Sequence, residues 1–220
     1  MNQKVLVTAG AAGIGLEILK AFAAIGAKTF VCDINETALK EVEQHVPGVI
    51  TRVCDVSKRG DIESMVKFGA EAMSGLDVLV NNAGISGPTA PVEKINPDDW
   101  EKVMQVDLTG TFNVTRMAIP YLKKSSSGVI INMSSLAGRF GYKNRSPYST
   151  AKWGIVGFTK TLSIELGKYG IRANAILPGA VAGPRIDNVL KGRAAANHTT
   201  IEEEKDNAIS IQSLKGVYRS

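Results

Sequence analysis

Lys4-Val5-Leu6-Val7-Thr8-Ala9-Gly10-Ala11-Ala12-Gly13-Ile14-Gly15 decides how this chain folds. The apolar run Lys4 to Thr8 predicts a buried strand, the glycines after it a tight turn, and the apolar spacing from Ile14 to Ile25 an amphipathic helix. The unit then repeats. Strands are predicted at Lys28 to Cys32, Val49 to Cys54 and Val78 to Val80, followed by helices near Asn35 to Gln44, from Lys58 to Met73 and from about Asp98. Gly128 to Met133, a helix holding Tyr148 and a strand from Ile171 to Leu177 complete the alternation. Apolar strands alternating with helices predict an α/β fold, a doubly wound parallel sheet covered on both faces. Such sheets take ligands at the carboxyl ends of their strands, so the residues just after each strand are the candidates for function.

Composition sets the outer bounds. At 220 residues, 44% of them hydrophobic, the chain has the content of one domain spanning 1–220 with a full core. Cys32 and Cys54 each precede an aspartate at a predicted strand end, which reads as buried, reduced thiols and gives no metal ligand set. The sequence enters an apolar strand without a basic leader, and no apolar run approaches membrane-spanning length, so the expectation is a soluble, cytoplasmic protein with no membrane partner. The net charge of +5 and pI near 9.2 raise nucleic acid as a partner, but the basic residues are dispersed among 21 acids, and none is expected.

The strand ends carry the chemistry. After the first strand, Thr8 to Gly15 offers close backbone approach and a helix N-terminus whose free N–H groups suit a pyrophosphate; the alternative is a turn whose glycines serve packing alone. The second strand ends in Asp33, which can accept from both ribose hydroxyls and repel a 2′-phosphate, favouring NAD(H) over NADP(H), or can cap the next helix. Asp55-Val56 lines an adenine pocket or supplies an N-cap, and Asn81-Asn82-Ala83-Gly84 lets a cofactor pass or ties loops to the sheet. Ser134-Ser135 can donate to a substrate carbonyl or simply form a loop, and Leu177-Pro178-Gly179 is a turn able to pass a nicotinamide. Tyr148 and Lys152, four apart on a helix, share a face, where the ammonium favours the phenolate of a group whose free pKa is ~10. That pair is a proton-transfer device, unless it is an ordinary surface pair.

In order and spacing these residues resemble the short-chain dehydrogenase/reductase family from about Lys4 to Asn188: Gly13-Ile14-Gly15, Asn81 to Gly84, Ser135 thirteen before Tyr148, then Tyr148-x-x-x-Lys152. The resemblance implies a Rossmann-like oxidoreductase transferring hydride between NAD(H) and a secondary alcohol or ketone, most simply as a homo-oligomer. It implies Tyr148 as general acid and base, Lys152 as its electrostatic partner and ribose ligand, Ser135 orienting the reacting oxygen, and Asp107 in the proton relay. The implied cofactor contacts are Gly10, Gly13, Ile14, Gly15, Asp33, Asp55, Val56, Asn82, Tyr148, Lys152, Gly179 and Val181, with 184–211 as a substrate lid.

Three positions depart from the family pattern. Ala9 stands where glycine is usual, and Gly10 is expected to take over the permissive backbone conformation. Asp107, in Val106-Asp107-Leu108-Thr109-Gly110, stands where asparagine usually holds a water leading to the lysine, and its carboxylate is expected to hold the same water while opposing phenolate formation. Gly183 replaces a threonine that bonds the nicotinamide carboxamide. The sequence ends Val217-Tyr218-Arg219-Ser220, short of the family's further helix and seventh strand, which predicts an unprotected sixth strand and a dimer, built on the helix Asp98 to Met117 and the Tyr148 helix, in place of a tetramer. The rival reading is a cofactor-binding or interaction protein of the same fold that lost turnover. Arg139, Lys143 and Arg145, between Ser135 and Tyr148, offer an anionic substrate a site, although a solvated loop face is the simpler expectation.

Overall fold

The alternation of side chains along each strand sorts the core into two faces. Leu6 of strand β1 (Lys4–Thr8) lies in register with Phe30 of β2 (Lys28–Asp33) and Leu79 of β4 (Val78–Asn81), and Leu79 with Ile130 of β5 (Val129–Met133). All four are fully buried, in a core completed by helices α3 (Arg59–Met73), α5 (Gly110–Leu122) and α6 (Ser146–Gly167). Each contributes about 1.5–3 kcal/mol by leaving water. Their strand neighbours Val5, Val7, Val31, Val78 and Val80 face the other way, against α1 (Gly13–Ala24) and α2 (Glu36–His45). The computed structural model, which describes residues 3–210, thus has helices on both faces of one parallel sheet, ordered β3-β2-β1-β4-β5-β6 with β3 at Ile50–Val53 and β6 at Arg172–Ile176.

The expected α/β doubly wound architecture is therefore present, with strand ends within two residues of the sequence reading. Strand order reverses direction on either side of β1, and this opens a crevice at the carboxyl ends of β1 and β4. Among the described residues β6 pairs with β5 alone and forms one edge of the sheet. The Ser213-to-Ser220 segment behind the expectation of an altered end lies outside the described residues. Cys32 and Cys54 are both free and buried; the contact with Cys54, then burial, pushes the Cys32 thiol up, away from reactive thiolate.

One expected element is more complex than its sequence pattern. The long helix from about Asp98 is α4 (Pro97–Val103), a π-helical segment Met104–Thr109, then α5 in direct continuation. The wider turn brings Asp107 into the interior, fully buried. The segment after β6 folds as α7 (Pro184–Asn197) and α8 (Ile201–Ser210), tied together by Glu204, which accepts from Asn197 Nδ2 and Thr199 Oγ1.

A buried polar ladder fixes the heights of these parts. Asn81 Nδ2 donates to Thr115 Oγ1 of α5 at 2.9 Å and to Asn132 Oδ1 of β5 at 2.8 Å, and Asn132 Nδ2 donates to Thr159 Oγ1 of α6 at 2.9 Å. Buried amides left without partners cost about 1–3 kcal/mol each, so this arrangement holds one register of strand against helix.

Candidate active site

The glycine turn comes first, because everything else is placed relative to it. Ala9, not Gly10, adopts the left-handed backbone, with φ +50°. The expectation for Gly10 is thus corrected, and packing gives the reason: a Cβ at Gly10 would collide with Val31 Cγ2, so that glycine is spent on close approach to β2. A Cβ at Gly15 would strike Ala9 O and Asn82 Nδ2, while Gly13 supplies φ +52° where α1 begins. Asn82 binds the turn to β4, its Nδ2 donating to Thr8 O at 3.1 Å and Ala9 O at 2.9 Å. Asn81 belongs to the interior ladder, with its Oδ1 accepting no hydrogen bond among the described residues.

The turn fits a dinucleotide on an observation independent of motif. The N-cap of α1, Ala12, has no side-chain acceptor, and the first turn carries no acid. Its leading N–H groups are left for an anion. Asp33 sits beside the turn, Oδ2 accepting from Ala11 N at 3.2 Å and Oδ1 from Asn35 N at 3.0 Å; the cap of α2 is Asn35, which accepts from Ala38 N. Asp33, Asp55 and Val56 line one cavity together with Ala83, Gly84 and Ile85 after β4 and with Lys102 and Val106 of the helix that follows. Asp55 is not the cap of α3 either. It closes a turn, Oδ1 accepting from Ser57 N at 2.9 Å and Ser57 Oγ at 2.7 Å. Burial works to raise the Asp55 carboxyl, but these two hydrogen bonds and Lys58 outweigh it and hold the group below the usual carboxylate range.

A second cavity, of about 160 Å³, gathers Ile14, Asn82, Ser135, Tyr148, Lys152, Gly179 and Val181. The two serines after β5 differ in what their hydroxyls do. Ser134 Oγ donates to Lys152 O at 2.9 Å and is buried; Ser135 Oγ accepts from Ala137 N at 3.2 Å, which leaves its own proton to give. Tyr148 and Lys152 do share a face of α6, with Lys152 Nζ 5.5 Å from the phenol ring centre. Lys152 Nζ donates to Met133 O at 3.1 Å and reaches Asp107 Oδ2 at 3.4 Å, while Ile85 N donates to Asp107 Oδ1 at 2.7 Å. The carboxylate meets the ammonium directly, where the sequence reading had a water between them. Gly183 has φ +141°, a conformation confined to glycine, so this position lacks the usual threonine for a backbone reason as well.

The solvated-face expectation holds for two of the loop's three basic residues and fails at Arg145. Arg139 and Lys143 are exposed, but Arg145 is only 3% exposed, with its guanidinium 5.0 Å from the Tyr148 ring centre and one amino group donating to Ser86 O at 2.6 Å. Burial, the largest influence, pulls its pKa down to about 10; Tyr148 opposes this, and Arg193 and Arg185 add to it. Arg185 lies 5.9 Å from the same ring and donates to Gly84 O at 3.2 Å, and Arg193 stands 5.2 Å over Tyr142. The sequence held one usable signal for Arg145, its position three residues before Tyr148; the others arrive only when α7 folds across the cavity.

Among the described residues no cluster of three or more His, Cys, Asp or Glu side chains could hold a metal ion, and no helix is long and apolar enough to cross a membrane. Residues 3–194 match the family model described as short chain dehydrogenase. The chain is 38% identical to a D-beta-hydroxybutyrate dehydrogenase of Cupriavidus necator, over 97% of this chain and 84% of that one. It superposes on NAD+-bound xylitol dehydrogenase with TM-score 0.93 at 29% identity, covering 99% of this chain and 88% of that one. An actinorhodin polyketide ketoreductase with NADPH gives TM-score 0.91 at 33% identity, covering 99% and 85%.

Proposed function

The chain belongs to the short chain dehydrogenase family, and we propose that it is an NAD(H)-dependent oxidoreductase acting on a secondary alcohol or ketone, with Tyr148 as its general acid and base. The observation carrying this reading is the convergence of Tyr148, Lys152 and the free Ser135 hydroxyl on one cavity beside the glycine turn. Bound NAD(H) would supply the hydride chemistry that no side chain possesses. The fit to it rests on the uncapped start of α1, with Gly10, Gly13, Ile14 and Gly15 giving close approach and Gly179 and Val181 lining the far wall. Asp33, Asp55, Val56 and Asn82 complete the proposed contact set. Asp33 supports NAD(H) over NADP(H), since a carboxylate beside the turn repels a 2′-phosphate.

In the reducing direction the Tyr148 hydroxyl gives its proton to the carbonyl oxygen, and in oxidation the phenolate takes it back. Ser135 donates a hydrogen bond to that same oxygen, where negative charge develops. Lys152 is held by Met133 O and Asp107, so its positive charge is already in place when the proton moves. Residues 184–211 are proposed as the substrate lid within a single 1–220 domain, since α7 covers the cavity through Arg185, Ile186, Val189 and Arg193. We further assign the protein to the cytoplasm and to a homodimer through α5 and α6. The binding-only rival has no use for a serine with a free proton beside the Tyr-Lys pair.

The deciding experiment follows NADH absorbance with a panel of secondary alcohols and ketones, with Tyr148→Phe as control. Turnover by the wild type that falls at least about 10³-fold in the variant, with NADH fluorescence showing unchanged binding, supports the reading. NADH binding with no turnover on any substrate selects the rival.

A further inference from the structure

The charge on the walls of the substrate cavity is all of one sign. Among the described residues Arg145, Lys152, Arg185 and Arg193 line it, and no aspartate or glutamate does. Lys152 is answered from behind the wall by Asp107. None of the three arginines takes part in an ion pair among the described residues. Arg145 is the costliest of them, being buried with its Nε donating to nothing among the described residues. A buried cation without a counter-ion is maintained against a considerable desolvation penalty, and folds keep such groups where a ligand completes them.

We propose that the substrate is a short hydroxy or oxo acid whose carboxylate binds Arg145, with Arg185 and Arg193 closing over it from α7. The inference rests on the oxidoreductase reading above and adds the class of acid to it. The planar guanidinium at the cavity wall suits a carboxylate, which accepts two parallel hydrogen bonds from such a fork. Geometry makes the acid short. Arg145 lies 5.0 Å and Arg185 5.9 Å from the ring centre of the same Tyr148 whose hydroxyl serves the carbonyl, so charge and reacting carbon are separated by only a few bonds. Arg145 is thus placed to fix one end of the molecule while Ser135 and Tyr148 fix the other. Its hydrogen bond to Ser86 O holds the guanidinium in position before the substrate arrives.

The test compares each of a series of short 2- and 3-hydroxy acids with its own methyl ester, using NAD+ and both wild type and Arg145→Met. The wild type is expected to favour at least one acid over its ester by 100-fold or more in kcat/KM. Arg145→Met is expected to bring that ratio to within threefold of one, mostly through KM, with Arg145→Lys recovering part of it. Equal use of acid and ester by the wild type, or a ratio preserved in Arg145→Met while both substrates fall together, overturns the proposal. So does tighter competition by a phosphate monoester of the same length than by the acid. Calorimetry of the unreactive Tyr148→Phe protein with NAD+ and the same acids separates the two readings. Arg145-dependent binding of acids, together with no turnover of any substrate by the wild type, would sink the oxidoreductase reading and keep the carboxylate site; wild-type turnover without acid preference does the reverse.

Discussion

Lys152 Nζ lies 3.4 Å from Asp107 Oδ2, and both side chains are almost wholly out of solvent. A buried pair of this kind adds little net stability, because desolvating two charges consumes most of their attraction, but breaking it strands a charge. Asp107→Asn leaves the ammonium uncompensated and is expected to lower stability by about 2–4 kcal/mol, whereas Lys152→Met alone strands the carboxylate and costs a similar amount. In a double-mutant cycle read by urea unfolding, the two changes together should cost less than their sum by more than about 1 kcal/mol. Additivity to within about 0.5 kcal/mol would show that the contact carries no coupling.

Ala9 holds a left-handed backbone that costs an L-residue about 1–2 kcal/mol. Ala9→Gly is expected to remove that strain and give back part of it through the freer unfolded chain, for a net gain of about 0.5–1 kcal/mol. The midpoint of denaturant unfolding should rise with its slope unchanged. A lowered midpoint would mean that the methyl group contributes packing worth more than the strain.

Asp33 stands beside the first N–H groups of the glycine turn, and among the described residues no cation is bonded to its carboxylate. Asp33→Ala combined with Ile34→Arg is expected to move the NADH to NADPH preference by about 100-fold or more toward NADPH, since a unit charge at ~4 Å in protein is worth several kcal/mol. Steady-state kcat/KM with each cofactor measures it. An unchanged ratio would place the ribose elsewhere.

Arg145 gives a stability prediction with a definite sign. Burial holds its pKa down at about 10, below the ordinary value of the unfolded chain, so the folded state binds this proton less well. The penalty is in full force at neutral pH and is lifted only as pH rises through about 10 into the range where the unfolded guanidinium also gives up its proton. Arg145→Met, which keeps the apolar stem and loses the Ser86 hydrogen bond, is expected to stabilise the free protein at pH 7 by about 1–2 kcal/mol. Loss of stability in thermal unfolding at that pH would contradict it.

The proposed dimer has an exposed apolar face to bury. Phe112 of α5 is 46% exposed and stands edge-on to Phe158 of α6, and along α6 Trp153 and Ile164 are 52% and 81% exposed. Charging this face with Phe112→Glu and Ile164→Glu together should give a monomer in sedimentation at micromolar concentration, while the wild type sediments as a dimer. Identical sedimentation of both would move the interface away from these helices.

The sheet could be read in the chain because most strands are short, largely apolar runs with glycine, asparagine, aspartate or serine close behind, a signal local enough to survive without tertiary context. The residues after the strands were legible for the same reason. What escaped depended on distant parts. Gly10 looked free to take the left-handed turn because nothing near it in sequence announces Val31, whose methyl fills the space beside it. Asp107 sits on an apparently ordinary helix, and only the wider π-helical turn carries it inward to Lys152. Arg145 reads as a loop cation because most arginines before a helix are solvated; it is buried by contacts with Ser86 and Tyr148, the former fifty-nine residues away in sequence.

The ladder from Thr115 through Asn81 and Asn132 to Thr159 acts as a ruler for the chemistry, although none of its members touches the cavity. Thr159 lies about two helical turns beyond Lys152, and Thr115 about two beyond Asp107. A helix that slid along the sheet would have to abandon an amide in the dry interior, so the ammonium and the carboxylate keep their level with the strand tips. Alignment at the reacting centre is thereby secured from deep in the protein, leaving the mouth of the site free to vary with the molecule it admits.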